Sequence, residues 1–127
     1  MKKLLIILLI CSVYCFTACK KGNSISPNLF GKWELRRTYG GFGGMDSVYK
    51  AGNGNILQFN RDSTYKRFEA NKLVSQGAFH IKKYSPGYGI FFDNTTYGDA
   101  FEMKGTTITI GTTVTDGVAS DYQKVSN

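Results

Sequence analysis

Histidine and tryptophan occur once each in this 127-residue chain, and proline twice. A lone histidine cannot build a multi-histidine metal set. Cysteine is confined to the first nineteen positions, at Cys11, Cys15 and Cys19, so no disulfide framework staples the rest. Long apolar runs are missing too. The longest spans 4–10, and charge returns at Lys20, whereas a spanning helix takes about 20 apolar residues. Acidic residues are few, nine against sixteen basic ones, for a formal charge of +7. The basic pairs Lys20-Lys21, Arg36-Arg37, Lys66-Arg67 and Lys82-Lys83 are dispersed, with no basic helix and no nucleic-acid motif, which argues against nucleic acid as a partner. The simplest reading of these pairs is solvated strand faces; the functional alternative sets some of them against anionic headgroups.

What is present at the N-terminus is a processing signal. Lys2 and Lys3 precede the apolar 4–10 run, and the stretch ends Phe16-Thr17-Ala18-Cys19. A basic segment, an apolar segment and a small-residue exit make a secretory leader. The last four residues resemble the lipobox of bacterial lipoproteins, with Phe16 in place of the commoner leucine. That resemblance implies cleavage before Cys19 and acylation of its sulfur. It also accounts for the one cysteine that the mature chain would keep. Two or three acyl chains anchor firmly where one holds only marginally. The expected organisation is a signal peptide over 1–18, an acylated tether over 19–28 and a single domain over 29–127. The tether is polar and carries Gly22 and Pro27.

From Leu29 onward the segments are short, rich in β-branched and aromatic residues, and divided by glycine, asparagine and aspartate. Strands are expected at 31–38, 55–60, 64–69, 72–82, 88–93, 97–104, 106–112 and 117–125. Their short connections demand antiparallel neighbours, and eight such strands can close on themselves. The expected fold is therefore all-β, an eight-stranded antiparallel up-and-down barrel. Alternation nominates an interior of Trp33, Leu35, Leu57, Phe59, Tyr65, Phe79, Ile81, Ile90, Phe92, Phe101, Met103, Ile108, Ile110 and Tyr122. Phe68 and Phe91 break the pattern, so a bulge or an exterior patch is expected in their strands.

The stretch Gly31-Lys32-Trp33 resembles the Gly-x-Trp motif that opens the first strand of lipocalins. Gly54 to Tyr65, followed by Lys72 to Phe79, is similar to lipocalin-like lipoprotein domains common in Bacteroidetes. The resemblance implies that Gly31 and Trp33 belong to a plug at one barrel end, with Lys124 as the nearest basic candidate to lie across the indole. It also implies that the glycine-rich 39–55 segment is a lid over the open mouth, with Phe42, Met45 and Tyr49 as its apolar contacts. A surface loop that covers nothing is the alternative.

No enzyme, cofactor or metal chemistry emerges. His80 alternates with Phe79 and Ile81 and should point outward, and the glycine-rich segment lacks the Gly-Lys-Ser/Thr ending of a phosphate loop. Asp62, Asp93 and Asp116 sit where turns explain them. A carboxylate pair for glycoside hydrolysis stays open, because separation in space decides it. Two functions compete. In the first, the barrel mouth binds a small apolar or amphipathic ligand through Tyr65, Arg67, Phe79 and Phe42, with Arg67 answered by a ligand carboxylate or by Glu69. In the second, the barrel is solid and docks an envelope protein or a glycan through an exterior patch of Phe68, Phe91 and Val74. Ser47 and Ser63 lie in short stretches resembling O-glycosylation sites of exported Bacteroidetes proteins. The lipoprotein resemblance implies anchoring at the outer membrane, and Lys20 to Asn23 lacks the acidic residues that resemble a surface-export signal in Bacteroidetes, so the expected side is the periplasm.

Overall fold

A computed structural model describes residues 26–112 and 116–125; the expected signal peptide and Cys19 lie outside them. Among the described residues a 3-10 turn, Pro27–Leu29, leads into nine strands. These are β1 (Gly31–Gly40), β2 (Met45–Val48), β3 (Ile56–Phe59), β4 (Thr64–Glu69), β5 (Lys72–Lys83), β6 (Tyr88–Phe92), β7 (Asp99–Lys104), β8 (Thr107–Gly111) and β9 (Val118–Val125). Neighbours pair antiparallel in the order β1-β3-β4-β5-β6-β7-β8-β9, and β9 returns to pair with β1. Eight strands thus close an up-and-down barrel. The ninth, β2, lies on the edge of β1 above the point where β3 ends: Gly31 to Glu34 face β3, while Arg37 to Gly40 face β2.

The 39–55 segment therefore contains a hairpin, against the expectation of a loop. Positive φ at Gly40, Gly41 and Gly44 lets the chain reverse, and Arg37 clasps Asp46 across the new pair at 2.8 and 2.9 Å. Pattern alone could not find a four-residue strand with three of its residues exposed among so many glycines.

The interior is the one that alternation nominates. Trp33, Leu57, Phe59, Ile90 and Ile108 are all at most 1% exposed, and Tyr65, Phe79 and Ile110 complete the centre. Burying each large side chain contributes about 1.5–3 kcal/mol. The rings interlock edge to face, Phe59 on Phe79 at 4.8 Å and Tyr65 on Phe92 at 4.7 Å between centroids. Leu35 alone of the nominated set stays outside this cluster.

One end of the barrel is sealed. Trp33 Nε1 donates to the carbonyl of Leu29 at 2.7 Å, and Lys124 Nζ stands 5.2 Å from the indole centroid while donating to the carbonyl of Asn28. The 3-10 turn is thereby strapped beneath the indole, and the cation gains the ring's negative face.

Two irregularities adjust the wall. The β4–β5 register slips between Arg67 and Phe68, where the sequence suggested a bulge. Phe91 points outward as expected, yet it is only 3% exposed: His80 stacks on it at 4.7 Å with 3° between planes, and Lys82 Nζ lies 5.1 Å from its centroid. The expected exterior patch thus loses Phe91, which its own neighbours cover.

Gly77 opposes Tyr65, and a Cβ there would lie 1.8 Å from Asp93 Oδ1. The missing side chain makes room for the Asp93 carboxylate, which accepts from Tyr65 Oη at 3.1 Å and from the Ala78 amide at 3.2 Å. Gly77→Ala is expected to expel Asp93 and to lower unfolding free energy by about 1–3 kcal/mol, measured by urea denaturation.

Candidate functional site

The barrel is filled at its tryptophan end and emptier at the other. At the open end a cavity of about 330 Å³ lies where β1 parts from β3, lined by Leu35, Leu57, Arg67, Glu69 and Tyr122 from the strands and by Tyr49 and Asn55 from the connecting segment. That volume is at the small end of ligand sites, and the mixture of apolar floor and polar rim is of the kind that orients a small molecule.

Its geometry follows from a bulge. The β1–β9 register shifts between Leu35 and Arg37. Below the shift Trp33 and Leu35 belong to the inner series; above it Thr38 meets Ser120, with 3.3 Å between hydroxyls, while Arg37 and Tyr39 stand outside. Small polar groups thus replace bulky ones in the upper bore, and the space between Leu35 and Tyr122 opens.

Arg67 and Glu69 are the charged residues of the cavity lining, and both are solvent-exposed. The Arg67 guanidinium carbon stands 5.8 Å from the Phe92 centroid, and no carboxylate of the described residues lies within ion-pair distance, Glu69 included. The pairing with Glu69 that the sequence allowed is therefore not formed. Burial pushes the Tyr122 hydroxyl above its ordinary value, opposed by the positive charge of Arg67. At neutral pH the tyrosine is a neutral donor beside a cation.

Of the other expected ligand residues, Tyr65 and Phe79 lie in the packed core, 5% and 2% exposed, and neither lines the cavity. Phe42 is at the tip of the β1–β2 hairpin, 95% exposed, and does not reach the cavity either. Tyr122 and Leu35 were legible as inner residues, but Asn55 gave no signal beyond marking a strand start. Ser47 lies in β2, and Ser63 occupies the β3–β4 turn with φ of 64°.

Glu34 anchors the segment that carries Tyr49 and Asn55. It is 4% exposed and accepts from the Gly54 amide at 3.4 Å and from Arg36. Gly54 is held at φ of 75°, and a Cβ there would lie 2.7 Å from Asn71. Asn53 Nδ2 adds a bond to the Leu35 carbonyl at 2.8 Å.

A second recess, on the outer wall, is lined by Tyr39, Glu102, Lys104, Thr107, Thr109 and Asp121. Its polar groups satisfy one another: Thr109 donates to Asp121 at 2.7 Å and Lys104 pairs with Glu102 at 2.9 Å. Among the described residues no group of three or more histidine, cysteine or acidic side chains is arranged to hold a metal ion.

Compared with protein-family models, with curated proteins and with solved structures, the chain matches none.

Burial raises the Glu34 carboxyl, but hydrogen bonds from Gly52, Arg36 and Gly54 outweigh it and hold its pKa below the ordinary 4.5. A carboxylate with a lowered folded pKa stabilises above its unfolded value, and that contribution is lost as pH falls through the folded one. Stability of the native chain is expected to drop below pH 4.5 more steeply than that of Glu34→Gln. At pH 7 the variant should lose about 1–3 kcal/mol by chemical denaturation.

Proposed function

We propose that this chain is an envelope lipoprotein, acylated at Cys19 and held at the outer membrane, whose lipocalin-like barrel binds one small amphipathic molecule at its mouth. The observation that carries this reading is Arg67, a guanidinium in the cavity wall with no carboxylate partner among the described residues. A ligand carboxylate or phosphate would pair with this solvent-exposed guanidinium, the Tyr122 hydroxyl would donate to that anion, and the apolar part would rest on Leu35 and Leu57. Charge-assisted hydrogen bonds of this kind are about twice as strong as neutral ones.

The size of the cavity restricts the ligand. Most of the bore is occupied by side chains, so a long acyl chain has no channel to lie in, and a compact molecule fits better. A second reading keeps the barrel as a docking module. It is favoured by the β1–β2 hairpin, where Phe42 and Val48 are 95% and 78% exposed.

Native mass spectrometry of protein purified from its own cells decides between the two. A reproducible small-molecule adduct is expected, and Arg67→Gln should weaken rebinding of the extracted molecule by about tenfold or more. No adduct, with an intact hairpin-dependent protein partner instead, would favour the docking module. Intact-mass measurement of the same preparation is expected to show cleavage before Cys19 and two or three acyl groups on it.

A further inference from the structure

The start of β1, the β3–β4, β5–β6 and β7–β8 turns and the end of β9 all lie at the sealed end, as the antiparallel order requires. The chain also reaches the barrel there, through the Pro27–Leu29 turn under Trp33. Charge is distributed unevenly along the axis. The sealed end carries Lys32, Arg61, Lys82, Lys83, Lys104 and Lys124, against only Asp62 and Glu102. The remaining described residues hold six basic and seven acidic side chains, so the excess of positive charge belongs to one end alone.

Aromatic residues accompany the lysines. Tyr84 and Tyr88 flank the β5–β6 turn and are 50% and 52% exposed. A tyrosine joins an apolar ring to a polar tip and is favoured at the level of lipid headgroups. The mouth also exposes rings, Phe42 at 95% and Tyr97 at 89%, but without an excess of cations. Asp46, Asp93, Asp99 and Asp116 stand on or beside its loops and offset Lys50 and Lys72. An anionic surface would attract the sealed end in preference to this one.

We propose that the sealed end of the barrel is a docking face for anionic lipid headgroups, which turns the mouth cavity away from the bilayer. Lys83 and Lys32 meet the headgroup charges directly; Lys82 and Arg61, which lie over the Phe91 and Phe30 rings at 5.1 and 5.6 Å but pair with no carboxylate among the described residues, join them, and the half-exposed rings of Tyr84 and Tyr88 settle between. Lys124 is already committed to Trp33 and Asn28, and Lys104 to Glu102, so they add only long-range attraction. The orientation rests on the reading of Cys19 as an acylated anchor, because a tether of a few residues joins that anchor to this end. The affinity for anionic lipid does not rest on it.

The test uses the full chain as its cells process it, with intact mass recording the acyl groups. Placed in nanodiscs of phosphatidylcholine, with or without phosphatidylglycerol, the protein is followed by amide hydrogen exchange. Slower exchange at 61–63, 82–88 and 104–106 only with phosphatidylglycerol is expected, abolished in Lys82→Glu/Lys83→Glu and kept in the mouth variant Lys50→Glu/Lys72→Glu. Equal exchange in both lipids, or protection at 41–44 and 93–98 instead, would overturn the proposal. An unacylated chain would overturn the anchor reading alone. Its cosedimentation with phosphatidylglycerol vesicles, expected to fall about tenfold in the Lys82/Lys83 variant and not in the mouth variant, then decides the docking face.

Discussion

Closure of the barrel by β9 on β1 is the constraint from which the other features follow. An eight-stranded sheet left open would present two rows of unpaired backbone groups. Here β9 runs along β1 from Lys32 opposite Val125 to Gly40 opposite Val118, so neither edge of the cylinder is free along that seam. On its other edge β1 divides its hydrogen bonds between β3 and β2. A single strand with three partners leaves little freedom in register, and the seam brings Lys124 over Trp33.

The same seam makes the two ends of the bore different. Before the shift at Leu35, β1 contributes an indole and a leucine to the interior. After it, Thr38 meets Ser120, and the larger Arg37 and Tyr39 go outside. The result is a dense lower core and a small upper cavity. Lys82 and Lys83 mark the sealed end, while Arg67, with no carboxylate of the described residues within ion-pair distance, marks the open one. A buried carboxylate, Glu34, holds the segment that forms the rim, a polar device on the outer face of the strand that buries Trp33 on its inner one.

Much of the architecture was legible because strand patterns are local. Alternation picked out Leu57 and Phe59, Phe79 and Ile81, Ile108 and Ile110, and the short polar turns required antiparallel partners. The β2 strand was not legible. Three of its four residues, Met45, Asp46 and Val48, are exposed to solvent, and they lie among glycines, so they carry no apolar period. Phe91 was read correctly as outward and wrongly as exposed, because its cover comes from His80, Lys82 and Tyr84, on the neighbouring strand and the turn beyond it. Of the expected ligand residues only Arg67 lines the cavity. Tyr65 shares its face but lies one step deeper, where the bore is filled.

The amino-acid sequence by itself determined the fold class, the inner face of most strands and the polarity of the turns, since these depend on residues a few positions apart. The tertiary structure alone decided where space remains inside the barrel and which charges lack a partner. Those properties depend on how β1, β4 and β9 are staggered against one another, and a shift of one residue at Leu35 exchanges inside for outside in everything that follows on the strand.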